Sequence, residues 1–157
     1  MSESAKTGIV TQAKRIQYIN IMAFVLSVLL LLTNVIVNYA LSDDIQAKAE
    51  QGMQITNVVV GCLVLVTMAG SFTLSITLRK TIKASRADGG GLKVLLFLLW
   101  IASTFFLIMY ILINVANVAD LGGNANAWKI CALICLCMPV LTFIFGCIIY
   151  SQAKHLA

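Results

Sequence analysis

Four stretches of the chain carry no charged side chain: 16–42, 51–78, 94–119 and 130–153. Each is 24 to 28 residues long and consists mostly of Leu, Ile, Val, Phe, Ala and Met. A helix needs about 20 such residues to cross the hydrocarbon core of a bilayer. The pattern predicts transmembrane helices over about 16–41, 52–78, 93–118 and 129–152. Short polar connections separate them, so sequential helices are expected to be antiparallel neighbours. The expected architecture is an all-α, up-down-up-down four-helix membrane bundle forming a single domain over 1–157.

Between the runs, breakers are few. Ala87-Asp88-Gly89-Gly90-Gly91 is the strongest, and it marks a hinge within the loop 79–92. It is not a phosphate cradle, because no Lys and Ser/Thr follow at the spacing of a Walker loop. Residues 1–15 read as a polar tail running into the first helix. The segment after Ser42 has the Ala and Gln content to continue a helix beyond the span.

Charge then gives the bundle a direction. Lys6, Lys14, Arg15, Arg79, Lys80, Lys83, Arg86, Lys93 and Lys154 fall on one side, and only Lys48 and Lys129 on the other. This is a positive-inside pattern, so both termini and the central loop are expected in the cytoplasm. The excess reads first as a topology signal, with attraction of the central loop to anionic lipid as the alternative. A basic nucleic-acid surface needs a folded soluble face, for which the spans leave no room. The apolar run after the basic N-terminus is too long for a cleaved signal core. The expected localisation is integral and multi-pass, in a membrane that the sequence does not identify.

With the direction set, polar residues sort by depth. Asn34 and Asn38 share a face near the outer end of the first span, and Asn114 and Asn117 do so on the third. Asn57 lies near the top of the second span, with Asp120 and other acids above. Three readings stand for this cluster: hydrogen-bonded glue between helices, solvation at the headgroup boundary, or an acidic vestibule that contacts an ion or ligand. Deeper in, Gly70, Ser71 and Ser75 on the second helix and Cys131, Cys135 and Gly146 on the fourth have the small-residue spacing of packing seams, within the bundle or between protomers. Pro139, the one proline, is expected to kink the fourth helix.

Chemistry is sparse. All five cysteines lie in spans, and the sole histidine is His155. No metal site, haem ligation or Ser/His/Asp set can be assembled from one chain. No acid or base lies deep in a span, as proton relays and voltage sensors require. No cofactor is expected other than bound lipid. The layout resembles that of MARVEL-type proteins in size and topology and departs from tetraspanins and claudins, whose larger outer loops carry paired cysteines. That resemblance implies an architecture and no activity. The leading expectation is a non-catalytic tetraspan that assembles laterally, with itself or with other membrane subunits, as an organiser or as a small subunit of a larger complex. The alternative is an oligomeric channel or pore subunit with an Asn-lined outer vestibule.

Overall fold

The computed structural model describes residues 3–36, 43–85, 89–118 and 125–156. They form four helices: α1 (Glu3–Val35), α2 (Asp43–Ala84), α3 (Gly90–Val118) and α4 (Ala125–Leu156). All four are long and apolar enough to cross a membrane. Helix α1 packs on α2 and α4, and α3 packs on the same two, so the helices stand at the corners of a square. Paired residues run in opposite order on neighbouring helices. Asn20 meets Ser71 and Gln12 meets Thr81 between α1 and α2. Phe24 stacks on Phe143 and Gln17 reaches Cys147 between α1 and α4, Phe72 stacks on Trp100 and Arg79 lies over Phe97 between α2 and α3, and Gly89 faces Leu156 and Gly91 faces Gln152 between the α3 start and α4. All of these neighbours are therefore antiparallel.

The helices are longer than the uncharged runs. Helix α1 begins at Glu3, within the expected polar tail. The segment qualifies because Ile9 and Ala13 are buried, while Thr7, Thr11 and Lys14 stay exposed. Helix α2 continues through Arg79 and Lys80 to Ala84 and α3 begins at Gly90, so both ends of the expected hinge loop 79–92 are helical. Buried Leu78, Ile82 and Leu92 carry the core into this region. Gly89 sits under Leu156, whose Cδ1 would lie 3.1 Å from an added Cβ. A side chain there would need the Leu156 tip to shift by a few tenths of an ångström.

One repeat organises the interior. The buried positions of α1 are Ile9, Ala13, Ile16, Asn20, Ala23, Ser27 and Leu30, spaced alternately four and three apart. Helix α2 repeats this with Gly61, Val64, Met68, Ser71, Ser75, Leu78 and Ile82. Helix α3 follows with Leu92, Leu96, Leu99, Ser103 and Phe106, and α4 with Pro139, Thr142, Gly146, Ile149 and Ala153. A mean spacing of about 3.5 residues is that of left-handed coiled coils, where it keeps one seam facing the partner.

The apolar core falls into two clusters along the axis. One, nearer the termini, is built on Ile9, Ile16, Leu78, Ile82, Leu92, Leu96, Leu99 and Ile149. The other is built on Ala23, Leu30, Val64, Met68 and Phe106. Between them the seam turns polar.

Candidate functional site

Each helix contributes a polar residue at or beside the junction of the two clusters: Asn20 and Ser27 from α1, Ser71 and Ser75 from α2, Ser103 from α3, Thr142 from α4. All six are buried. Asn20 is the hub. Its Nδ2 donates to the Ile16 carbonyl at 2.9 Å, and its Oδ1 accepts from the Ser71 hydroxyl at 3.1 Å. Gly146 makes room for it. A Cβ at that position would stand 3.4 Å from Asn20 Cβ and Nδ2 and 3.5 Å from Gln17 Cα. The Asn20 amide thus rests on the bare backbone of α4 while it bonds to α2.

The other members are held more locally. Ser75 donates to the Phe72 carbonyl at 2.7 Å. The Thr142 hydroxyl lies 3.0 Å from the Pro139 carbonyl and 3.9 Å from Met68 Sδ, across the centre of the square. The Ser27 and Ser103 hydroxyls have no hydrogen-bond partner. Toward the termini, Gln17 reaches Cys147 Sγ at 3.7 Å and Thr81 donates to Gln12 Oε1 at 3.2 Å. Amides and hydroxyls make up the layer, so it can exchange hydrogen bonds but carries no group that titrates near neutral pH.

The residues singled out in the sequence are distributed as follows. Asn34 is half-buried, and its Nδ2 donates to the Leu30 carbonyl of its own helix at 2.7 Å. Asn38 and Asp120 lie outside the described residues, as do the side chains of Asn57, Asn114 and Asn117. Gly70 faces α1, where Ile19 Cδ1 would be 3.4 Å from an added Cβ. Ser71, Ser75 and Gly146 lie in the core, so Gly70, Ser71 and Gly146 all meet α1 of the same chain. The side chains of Cys131 and Cys135 lie outside the described residues. Pro139 is buried and α4 runs through it. Cys62 is a free, exposed thiol. Among the described residues no three of His, Cys, Asp and Glu gather as metal ligands.

Asn20, Gln17, Ser27, Ser103, Thr142 and Gly61 are the residues that sequence reasoning missed. Their signal is present but easily overlooked: in an all-apolar span, the inner face is marked by small and polar residues at heptad spacing, not by greater hydrophobicity.

The outer face of α2 has its own pattern. Cys62, Val66, Ala69, Thr73 and Thr77 are exposed and lie along one stripe, with Val66 68% exposed. Thr73 donates to the Ala69 carbonyl and Thr77 to the Thr73 carbonyl, each at 3.0 Å. The hydroxyls are thereby satisfied within the helix, and Ala69, Thr73 and Thr77 leave a shallow, small-residue surface.

No protein-family model, curated protein or solved structure matches the chain.

Proposed function

We propose that the protein is a non-catalytic, multi-pass membrane protein that assembles laterally, as a membrane organiser or as a small subunit of a larger membrane complex. The observation that carries this reading is the apolar outer surface. A layer of Asn and Ser/Thr residues crosses the interior between two apolar clusters, while large apolar side chains cover the outside. Exposed large apolar residues run from Tyr18 to Ile36 on α1 and from Val94 to Leu112 on α3. At 1.5 Å per residue each stretch spans about 28 Å, close to the hydrocarbon thickness of a bilayer at about 30 Å. Water would penalise such a surface, and lipid tails would not. The basic excess beside the termini supports a cytoplasmic location for that end.

Lateral assembly is supported by the α2 stripe. Lipid provides no hydrophobic drive for helix association, so close backbone approach over small residues is a principal source of affinity. Ala69, Thr73 and Thr77 offer this on a face that the chain's own helices leave open. The core of one chain, filled by Met68, Phe106 and Thr142, favours assembly over conduction through a single bundle.

The test uses the native thiol on that face. Mild oxidation of the full chain in liposomes should give Cys62-linked dimers, abolished by Cys62→Ser. Bulk at the stripe, in the Ala69→Leu and Thr73→Leu double variant, should lower the oligomer fraction seen by single-molecule photobleaching in dilute membranes. Single-step bleaching of the wild-type chain at every lipid-to-protein ratio would refute lateral self-assembly.

A further inference from the structure

On three helices the outer surface changes character at about one level of the bundle. Toward the termini, the exposed large apolar residues stop at Tyr18 on α1, Val94 on α3 and Ile148 on α4, and farther from the termini, at Val66, on α2. The core does not stop there. Ile9, Ala13, Ile82, Leu92 and Ala153 continue it past that level. Where the apolar outside ends, cations begin, and they lie against aromatic rings. Lys14 Nζ lies 5.5 Å from the Tyr18 ring centroid, the Arg79 guanidinium 5.9 Å from that of Phe97, and Lys154 Nζ 5.1 Å from that of Tyr150.

These pairs share a height. The Gln12–Thr81 contact sets Lys14 level with Arg79, and the Gln17–Cys147 contact sets it level with Tyr150. Phe97 is level with Arg79 by their own contact. Lys93 and Lys154 lie one helical turn nearer the termini, and exposed Arg15, Lys80 and Lys83 widen the band. The result is a collar around all four helices. Glu3, eleven residues from Lys14 along α1, is the sole acidic side chain among the described residues at this end. Among the described residues, then, almost nothing at this end neutralises the collar; Asp88 lies outside them.

We infer that this collar is a docking surface for the headgroups of anionic phospholipids in the leaflet on the termini side. The inference rests on the membrane reading above. A cation over a ring face keeps part of its attraction while it stays wet, so the rings hold the charges at headgroup height without neutralising them. Each basic residue near an anionic surface gains about 1 kcal/mol, which corresponds to about fivefold in local association.

The experiment uses the full chain in phosphatidylcholine vesicles carrying trace spin-labelled phosphatidylserine or spin-labelled phosphatidylcholine. The motionally restricted fraction of each label measures its relative association with the protein surface. Phosphatidylserine should be preferred by up to about fivefold at low salt. The preference should fall toward unity in 1 M salt, where the screening length is about 3 Å. The Lys14→Gln, Arg79→Gln and Lys154→Gln triple variant should lose most of it. The charge-preserving Lys14→Arg, Arg79→Lys and Lys154→Arg variant should keep it, and so should Lys48→Gln with Lys129→Gln at the other end. Failure of the chain to float with vesicles overturns the membrane reading. Flotation with equal association of the two lipids, or with a preference that survives the triple glutamine change, overturns the collar proposal alone.

Discussion

The Asn20–Ser71 bond is a direct side-chain link between α1 and α2 at the junction of the two apolar clusters, and its worth can be isolated. Interhelical hydrogen bonds in membrane bundles average about 0.6 kcal/mol and reach about 1.7 kcal/mol. Complete burial of both partners places this bond toward the upper part of that range. Asn20→Ala removes the bond and the volume of the amide. The void lies against Gly146, which has no side chain to fill it, so cavity and bond together should cost roughly 2–3 kcal/mol. Asn20→Leu keeps most of the volume and drops the bond, and should cost about 1 kcal/mol. Ser71→Ala leaves the Asn20 Oδ1 buried without its donor, at a penalty of about 1–3 kcal/mol. The decisive measurement is the double-mutant cycle of Asn20→Ala and Ser71→Ala, with unfolding followed by circular dichroism as SDS is titrated into mixed micelles. A coupling of about 0.6–1.7 kcal/mol is expected. Additive effects, with no coupling beyond error, would refute the claim that the bond ties α1 to α2.

Other perturbations probe the rest of the bundle. A methyl at Gly61 would overlap the Tyr110 hydroxyl and lie 3.0 Å from its Cζ; Gly61→Ala should cost about 1–3 kcal/mol by overpacking, and Tyr110→Phe in the same chain should recover part of it in the same unfolding assay. Gly146→Leu should force α4 from α1, since the Gln17 backbone cannot yield; the Phe24–Phe143 stack at 4.9 Å should be lost, as read by cross-linking efficiency between cysteines placed at those two positions. Gly90 is exposed with no atom within 4 Å of an added Cβ, so Gly90→Cys should leave the fold intact and react with impermeant maleimide from the cytoplasmic face alone; labelling from the opposite face would overturn the proposed orientation.

The four long apolar helices were legible because the absence of charge over more than twenty residues is a coarse signal that packing does not alter. Their ends were not. Thr7, Thr11, Arg79 and Lys80 look like loop and tail by hydropathy, yet each lies on a helix whose opposite side buries Ile9, Ala13, Leu78 or Ile82. A helix that leaves an apolar environment while still covering a core needs only one apolar face, and averaging over a window erases that face. The inner surface within the spans was hidden for the reverse reason. Leu29 and Leu30 have the same hydropathy, but one is 54% exposed and the other is buried. The informative residues are the exceptions, Asn20, Ser27, Ser103 and Thr142, and they acquire meaning when counted in threes and fours. Attention to asparagine depth alone passed over Asn20, which bonds to its neighbour.

The seven-residue register of α1 has a mechanical consequence. It runs unbroken from Ile9 to Leu30, through the level where the outer surface turns from charged to apolar. About 16 Å of α1 projects beyond that level, from Glu3 to Ala13, and from Ile9 onward it keeps the same spacing of buried positions as the rest. One seam therefore holds the helix on both sides of the level, and Asn20 is a position of that seam.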